Sequence, residues 1–283
     1  MPTDFAIVPS KPLPISVCMI AGAEAARIGR SLAAVADWVT DIHVVLNDDV
    51  ADGTDEIARQ HGAIVHREPW KGHVAQKNSA LAKATQPWAL GLDADEVVSD
   101  ELRDEIARLF ADVARLDAHA AWSFPRCTWV CDRFIRHGDW YPDRQTRLWK
   151  RGAAKWAGEN PHDKLEVRGS VGRLRGDLLH YSIQSLNQQL GKIPSYTDAF
   201  VEQRIARGQR AGWSALVLRP WWTFVRGYFL RLGFLDGWPG YYVARMNAFT
   251  TLTRYAKLIE RANDPRRHDA KPADPASTSD TAS

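Results

Sequence analysis

"ALGLDADEVVSDEL", residues 89–102, joins an apolar run to a cluster of carboxylates and then to a helix-like segment. The preceding residues complete WALGL (88–92), which is typical of a buried strand, and SDELRDEIARLF (99–110) is typical of an amphipathic helix. Ser99 is the expected N-cap, because its hydroxyl can accept a backbone N–H and because Asp100 and Glu101 suit the positive end of the helix dipole. The carboxylates between strand and helix either form a solvated turn or hold a cation.

The same alternation of strand and helix runs through the chain before this stretch. Predicted strands are ISVCMIA (15–21), IHVVL (42–46) and AIVHRE (63–68), and predicted helices cover residues 24–38, 52–62 and 75–85. Short alternating elements predict an α/β fold with a mostly parallel sheet flanked by helices. Ligands bind such sheets beyond the carboxyl ends of the strands, where residues 47–49 and 93–96 are expected to lie.

The composition is that of an ordinary folded protein, since 45% of the 283 residues are apolar and 25% are charged. Cys18, Cys127 and Cys131 lack zinc-type spacing and the first residues lack a signal-peptide pattern, so we expect a reducing cytoplasm. The first 100 residues carry 8 Lys and Arg against 14 Asp and Glu, whereas the remainder carries 29 against 20. This asymmetry suits a cation in the first part and an anionic partner or membrane surface in the second, although solvated surface would also produce it.

Asp93 and Asp95 are the candidate ligands of a cation. If the strand continues, their side chains share one face while Glu96 points to the opposite face and has a structural role. Two carboxylates on one face suit a hard cation such as Mg²⁺ or Mn²⁺. An EF-hand is excluded, because Val98 and Asp104 stand where that loop requires Gly and Glu.

Several longer segments resemble the inverting glycosyltransferases of family 2, most closely the branch that adds sugars to the inner core of bacterial lipopolysaccharide. They are HREPWKGHVAQKNSALAKATQPWALGLDADEVVSDEL (66–102), IRHGDWYPDRQTRLWKRG (135–152), VGRLRGDLLHYS (171–182) and GYFLRLGFLDG (227–237). The resemblance covers roughly residues 14 to 260 and implies the GT-A fold, a Rossmann-like, mostly parallel mixed sheet flanked by helices. We expect the catalytic domain over residues 14–185, with its nucleotide-sugar half ending near residue 118 and its acceptor half following. A helical extension would occupy residues 186–262, and the polar tail 263–283 would be disordered.

The resemblance also implies roles for particular residues, with a nucleotide-sugar donor, a UDP-hexose, as substrate. Asp95 is the implied direct metal ligand and Asp93 lies near the ribose and the metal, because a bound Mg²⁺ or Mn²⁺ neutralises the departing diphosphate. Lys77 either adds positive charge near the phosphates or is a solvated helix lysine. The general base is expected at Asp163, in GENPHDKLEV (158–167), where the alternative is an exposed loop aspartate; Glu166 is the second candidate.

Two positions depart from the family pattern at the nucleotide-binding end. After the first strand the chain reads AGAE, so Ala23 precedes Glu24 where the family usually has an Asn-Glu pair. After the second strand it reads NDDVADGT, which places Asn47 where an aspartate is expected to contact uracil, with Asp48 or Asp49 as substitutes after a small shift. An Asn side chain can still hydrogen-bond a base edge. Glu24, Asn47 and Asp48 are therefore expected to contact the nucleotide.

The segment HGDWYPDRQTRLW (137–149) is the candidate acceptor region. Trp140 and Tyr141 offer flat faces for sugar rings, and Arg144 and Arg147, beside Asp143, offer forks for phosphate or carboxylate groups. A phosphorylated lipopolysaccharide core would require both kinds of contact. For Trp140, a packed aromatic corner is an equal alternative.

Residues 213–242 mix aromatic and aliphatic side chains with Arg219, Arg226 and Arg231. These arginines interrupt every apolar run well short of the roughly 18 residues that a membrane-spanning helix needs. The composition favours an interfacial helix against anionic lipid, and a helix packed on the catalytic domain is the alternative. Pro220 is expected to start or kink a helix.

Together these features predict a metal-dependent inverting hexosyltransferase at the cytoplasmic face of the inner membrane, with no nucleic-acid partner. The implied reaction transfers glucose from UDP-glucose to an inner-core heptose in β-linkage. Transfer to a polyprenyl phosphate or a capsule or exopolysaccharide intermediate is one alternative, and a non-catalytic nucleotide-sugar-binding module is another. Nucleotidyl transfer also uses paired aspartates, but a glycine-rich triphosphate loop does not follow the first predicted strand.

Overall fold

The structure is a computed structural model that describes residues 11–159, 162–183 and 185–263. The chain divides into two compact units, the second of which begins at Ser185. The predicted disordered tail lies, from residue 264 onward, outside the described residues.

The first unit alternates strands and helices up to residue 117 and is then mostly β. Its strands are β1 (Leu13–Ala21), β2 (Val39–Asn47), β3 (Ile64–Glu68), β4 (Trp88–Gly91), β5 (Glu96–Val98), β6 (Ala121–Val130), β7 (Arg133–Phe134), β8 (Asp143–Lys150), β9 (Ala154–Glu159), β10 (His162–Val167), β11 (Val171–Arg173) and β12 (Leu178–His180). Its helices are α1 (Ile28–Ala33), α2 (Thr54–Gln60), α3 (His73–Ala82), α4 (Asp100–Ala111) and α5 (Val113–Asp117), with a 3₁₀ turn at Gly138–Trp140.

The main sheet has the strand order β3-β2-β1-β4-β8-β6-β12-β5, with β7 and β11 also paired to β6. Strands β3, β2, β1 and β4 are parallel, and β6 is parallel to β11 and β12. Strand β8 is antiparallel to both of its neighbours, and β9 and β10 form a separate antiparallel pair. The predicted α/β fold with a mostly parallel mixed sheet is confirmed, and the arrangement is GT-A-like.

The core forms because the central strands carry apolar side chains on both faces. Met19 on β1, Leu46 on β2 and Leu90 on β4 are fully buried, as expected for parallel strands covered on both sides. Helix α4 buries Leu102 and Ile106 at helical spacing. The predicted N-cap is confirmed, since Ser99 Oγ accepts the backbone N–H of Leu102 at 3.2 Å.

Two local predictions are wrong. Helix α1 is shorter at both ends than the predicted 24–38. At its start, the backbone N–H of Glu24 donates to Thr54 Oγ1 at 2.9 Å, and at its end residues 34–38 form turns before β2. Strand β4 ends at Gly91, so Asp93 and Asp95 lie in a turn and do not alternate along a strand. The Glu96 carboxylate closes that turn by accepting the backbone N–H of Asp93 at 3.1 Å.

The second unit is helical in its described residues, with α6 (Leu186–Gly191), α7 (Ile193–Ala206), α8 (Trp213–Val225), a π-helical turn (Arg226–Leu230), a 3₁₀ turn (Gly233–Asp236) and α9 (Gly237–Ala262). Val201, Tyr255 and Leu258 form its buried centre. Pro220 lies inside α8 instead of at its start. Across the described ranges, every helix is too short or too polar to cross a bilayer.

Candidate active site

A cavity of about 490 Å³ opens beyond the carboxyl ends of β1, β2 and β4 in the first unit. Parallel strands that end at one edge bring their following loops together, and a ligand site is expected there. Six of the residues singled out in the sequence line this cavity: Glu24, Asn47, Lys77, Asp93, Asp95 and Asp163.

Asp93 is held between two cations at the wall of the cavity. Arg147 Nη2 lies 2.6 Å from Asp93 Oδ2, and Lys77 Nζ lies 3.4 Å from Asp93 Oδ1. Burial alone would raise the pKa of Asp93, but the charges of Arg147 and Lys77 outweigh it and hold this pKa well below its usual range. Asp93 is therefore ionised, and both of its carboxylate oxygens already face positive charge.

Arg147 is not placed where an acceptor-binding residue would be. Its side chain is only 4% exposed, and its guanidinium bridges Asp93 and the fully buried Glu96, whose Oε1 is 2.5 Å from Nη2. Glu96 also pairs with Arg126 Nη1 at 3.2 Å, and Arg126 Nη2 lies 2.7 Å from Asp143 Oδ2. Glu96 thus does not point away from Asp93 as predicted, because the two carboxylates share one guanidinium in a buried charge network.

Asp95 has a different environment, which suits a metal ligand better. Its Oδ2 lies 3.7 Å from His180 Nε2 and 3.8 Å from Arg27 Nη1, without a close ion pair. Burial, and then the charge of Arg126, lower the pKa of His180, so this imidazole is neutral near pH 7 and can donate a lone pair to a metal. Sequence reasoning missed His180, which ends β12 directly after two apolar residues.

The donor set fits a divalent cation that is only partly coordinated by protein. Within the described part of the chain, groups of three or more His, Cys, Asp or Glu side chains positioned for a metal are not found. Asp95 and His180 could hold Mg²⁺ or Mn²⁺ if the remaining ligands were diphosphate and water oxygens, which Mg²⁺ commonly retains. Asp93 is the poorer ligand, because Arg147 and Lys77 occupy its oxygens.

Asp163, on β10, reaches the same cavity and pairs with Lys77. Lys77 Nζ lies 2.8 Å from Asp163 Oδ2 and 4.4 Å from the ring centroid of Trp156. With 13% of its side chain exposed, Lys77 is not a solvated helix lysine. Glu166, the second candidate base, is 44% exposed, faces Lys155 and Lys164, and lies outside this cavity.

At the opposite end of the cavity, Asn47 presents a buried polar atom. Its Oδ1 has no hydrogen-bond partner within the described residues, so a bound ligand could supply a donor. Trp70 and His73, whose ring centroids are 4.9 Å apart, also line the cavity and were missed by sequence reasoning. Their signal was present in the segment EPWKGH, where an exposed tryptophan precedes a glycine and the start of α3. Asp48 is exposed and does not line the cavity.

The remaining candidate acceptor residues lie outside the cavity and are bound to other parts of the protein. The Tyr141 hydroxyl donates to Asp177 Oδ1 at 2.8 Å, and burial together with this contact raises the pKa of Tyr141 to about 12. Arg144 Nη1 donates to the carbonyl oxygens of Ser123 at 3.3 Å and Leu174 at 3.1 Å. Trp140 is half-buried in the 3₁₀ turn. The structure therefore separates this group from the carboxylates of the cavity.

Comparison with known proteins gives the family of this chain. The model of "Glycosyl transferase family 2" matches residues 16–167, more than half of the chain. The protein belongs to this family and is a glycosyltransferase.

Relatives match over most of their length. An uncharacterized glycosyltransferase of Rickettsia felis is 30% identical over 261 residues, which cover 87% of this chain and 89% of the relative. LpsC of Rhizobium meliloti, a lipopolysaccharide core biosynthesis glycosyltransferase, is 27% identical over 256 residues, 88% of this chain and 93% of the relative. Among solved structures, residues 1–349 of S. aureus TarS in complex with UDP-GlcNAc align with a TM-score of 0.46 at 12% identity, covering 90% of this chain and 92% of that TarS chain.

Proposed function

We propose that this glycosyltransferase transfers a hexose from a UDP-sugar, with glucose from UDP-glucose as the first candidate, to an inner-core heptose of lipopolysaccharide in β-linkage. The observation that carries the proposal is the convergence of Asp95, His180, Lys77 and Asp163 around one cavity at the carboxyl ends of the strands. The likeness to LpsC over most of both chains supports a core acceptor.

For the donor, we assign the uracil to the end of the cavity that contains Asn47 and Trp70. The unpartnered Asn47 Oδ1 would accept an N–H from the base edge, and the half-exposed Trp70 ring offers a stacking face. Glu24, which lines the cavity and accepts from Arg27 Nε at 2.7 Å, would also contact the nucleotide.

For the diphosphate, we assign Mg²⁺ or Mn²⁺ to Asp95 and His180. The cation would neutralise the charge that develops on the leaving UDP. Arg27, 3.8 Å from Asp95, and Lys77 add positive charge on the protein side. Asp93, held by Arg147 and Lys77, would orient this end of the site without itself being a strong metal ligand.

For the chemical step, Asp163 is the proposed general base. Its carboxylate would take the proton of the acceptor hydroxyl while that oxygen attacks the anomeric carbon, and the bond from that carbon to the diphosphate oxygen would break with its electrons leaving on UDP. Attack from the face opposite the diphosphate inverts the anomeric configuration. Lys77, 2.8 Å from Asp163, would hold the carboxylate in place.

The second unit is the proposed membrane contact. Its described surface exposes many large apolar side chains, including Trp213, Val217, Trp221, Phe229, Leu230, Leu235 and Trp238. Aromatic and aliphatic side chains interspersed with arginines are typical of proteins that lie at the headgroup level. We accordingly propose a peripheral position at the cytoplasmic face of the inner membrane, where a lipid-anchored acceptor is accessible.

The test compares Asp163→Asn with Glu166→Gln in transfer from a panel of UDP-hexoses to purified core acceptors, read by product mass. Loss of a general base lowers turnover by about 10²- to 10⁴-fold, and Asp163→Asn is expected to fall in this range with UDP affinity unchanged. Glu166→Gln, which removes a carboxylate of the same hairpin outside the cavity, should keep its rate. Near-normal turnover by Asp163→Asn would refute the assigned base, and transfer only to polyprenyl phosphate would refute the acceptor.

A further inference from the structure

A second cavity, of about 450 Å³, lies in the helical unit and is lined by residues of α7, α8 and α9 and the turn after α8. Three arginines face it, Arg219, Arg226 and Arg254, and none of the described residues that line it is acidic. The nearby Asp198 is engaged elsewhere, 3.0 Å from Lys257 Nζ and 3.3 Å from Arg261 Nη2. Within this unit, the cavity therefore concentrates positive charge; we call it the arginine groove.

Arg219 and Arg254 lie against aromatic rings, which leaves hydrogen-bond donors for a ligand. Arg219 Cζ lies 5.0 Å from the ring centroid of Tyr255, and Arg254 Cζ lies 5.2 Å from that of Phe200. A guanidinium that contacts a ring through its face keeps the N–H groups in its plane available as donors. The aromatic rings thus position two guanidinium groups without neutralising them.

Arg254 has a hydrogen-bond donor that still needs an acceptor. Its Nε is buried and has no hydrogen-bond partner in the described part of the chain. Burial lowers the pKa of Arg254, as expected when a cation loses solvent without gaining an anion. A buried donor left unpaired destabilises the folded protein, and a bound anion would remove that cost.

The other polar groups of the groove are already committed to the helices. Thr223 Oγ1 donates to the carbonyl of Arg219 at 2.9 Å, and Thr251 Oγ1 donates to that of Asn247 at 2.8 Å. The guanidinium groups of Arg219 and Arg254 are therefore the donors that a ligand would meet. Their fork geometry matches the paired oxygens of a phosphate group.

The rim of the groove indicates where that phosphate comes from. Leu218 and Trp222 line the groove and are exposed, and Trp221, Phe249 and Leu252 are exposed on the same two helices. A soluble phosphorylated compound would leave these side chains in water, whereas a lipid would place its phosphate in the groove and its acyl chains against the apolar rim. The positive charge of the groove and the apolar surface of its rim therefore both fit an anionic lipid.

We propose that the arginine groove binds the phosphate of an anionic membrane lipid and so fixes the second unit on the bilayer. This inference rests on the membrane contact of the proposed function and names the headgroup chemistry that the contact recognises. It adds a binding site separate from the cavity that contains Asp95 and Asp163.

The test is co-sedimentation of the full-length protein with vesicles of phosphatidylcholine alone or mixed with phosphatidylglycerol. One arginine near an anionic surface contributes about fivefold in affinity, so Arg219→Gln and Arg254→Gln should each weaken binding to the anionic vesicles about fivefold. Binding to phosphatidylcholine should not change. Arg210→Gln, which removes the same charge from the exposed loop between α7 and α8, is the matched control and should change binding by much less.

Equal weakening by Arg210→Gln would show that only diffuse charge matters and would overturn the proposal. Binding of inorganic phosphate to the wild-type protein in calorimetry, together with unchanged vesicle binding by Arg219→Gln, would assign the groove to soluble phosphate and would also overturn the proposal. Because Arg219 is exposed, Arg219→Gln tests the groove even if Arg254→Gln fails to fold. UDP binding and sugar transfer, measured on the same proteins, separate the two claims. If the wild-type protein transfers the sugar but the variants bind vesicles as the wild type does, only the groove is refuted. If the variants bind anionic vesicles more weakly as expected but the wild-type protein does not transfer the sugar, only the enzymatic proposal is refuted.

Discussion

Replacing Arg147 by methionine tests the charge network behind the cavity. The substitution keeps most of the side-chain volume and removes the guanidinium that bridges Asp93 and Glu96 at 2.6 and 2.5 Å. Breaking a buried ion pair by removing one partner costs about 3–5 kcal/mol, because a charge is left buried and uncompensated. Asp93 and Glu96 each keep a second cation, at 3.4 Å in Lys77 and at 3.2 Å in Arg126, so the lower end, about 3 kcal/mol, is expected.

The assay is thermal unfolding followed by calorimetry, with urea unfolding as a second measure. A loss of about 3 kcal/mol corresponds to a Tm decrease of roughly 6–12 °C for a unit of this size. Arg173→Met, at an exposed position of β11 in the same sheet, is the matched control and should stay within about 1 kcal/mol. The double variant Glu96→Gln with Arg147→Met should lose less free energy of unfolding than the two single variants lose together, since each substitution removes the charge that the other leaves uncompensated.

This outcome distinguishes a structural Arg147 from one that binds the acceptor. If Arg147 bound the acceptor, its replacement would raise the KM for the acceptor while leaving the Tm and the stability in urea unchanged. A loss below about 1 kcal/mol for Arg147→Met, with additive energies in the double variant, would refute the network as the structure gives it.

Two further predictions concern Asn47 and Glu68. Asn47→Ala should weaken UDP binding, measured by calorimetry, by about fivefold, because one ordinary hydrogen bond is lost. Asp48→Ala, which lies outside the cavity, should leave UDP binding unchanged. Equal effects of the two substitutions would contradict the assignment of Asn47. Hydrogen bonds from Lys71, Lys83 and Ser79 lower the pKa of Glu68 from 4.5 to about 2. Because the pKa of Glu68 is depressed in the folded state, its ionised carboxylate stabilises the fold above pH 4.5, and this stabilisation is lost as the pH falls towards 2. The difference in Tm between the wild type and Glu68→Gln should therefore close over that interval. A gap that does not change with pH would exclude this linkage.

The regular parts of the fold were predictable because they depend on local pattern. The apolar runs at residues 15–21, 42–46 and 88–92 fixed the parallel strands, and Ser99 fixed the start of α4. The start of helix α1 was predicted too early because the backbone N–H of Glu24 is bound by Thr54, about 30 positions away. A single-sequence pattern contains no information about such a distant contact.

The site was predictable only where a motif placed its residues. Asp93 and Asp95 came from the paired carboxylates after a predicted strand, whereas Lys77 and Asp163 came with the family resemblance, and all four line one cavity. The burial of Arg147 could not be read from DRQTRLW, because its partners Asp93 and Glu96 lie about 50 positions earlier and meet it only across β4 and β8. His180 likewise becomes a candidate ligand only when β12 pairs with β5 and brings it beside Asp95.

The most direct test of the central claim is the mass of the lipopolysaccharide core from a strain lacking this gene, complemented with wild type or with Asp163→Asn. We expect the core of the deletion strain to be lighter by one hexose, with wild type restoring that mass and Asp163→Asn failing to restore it. A core of unchanged mass in the deletion strain would contradict the proposed reaction.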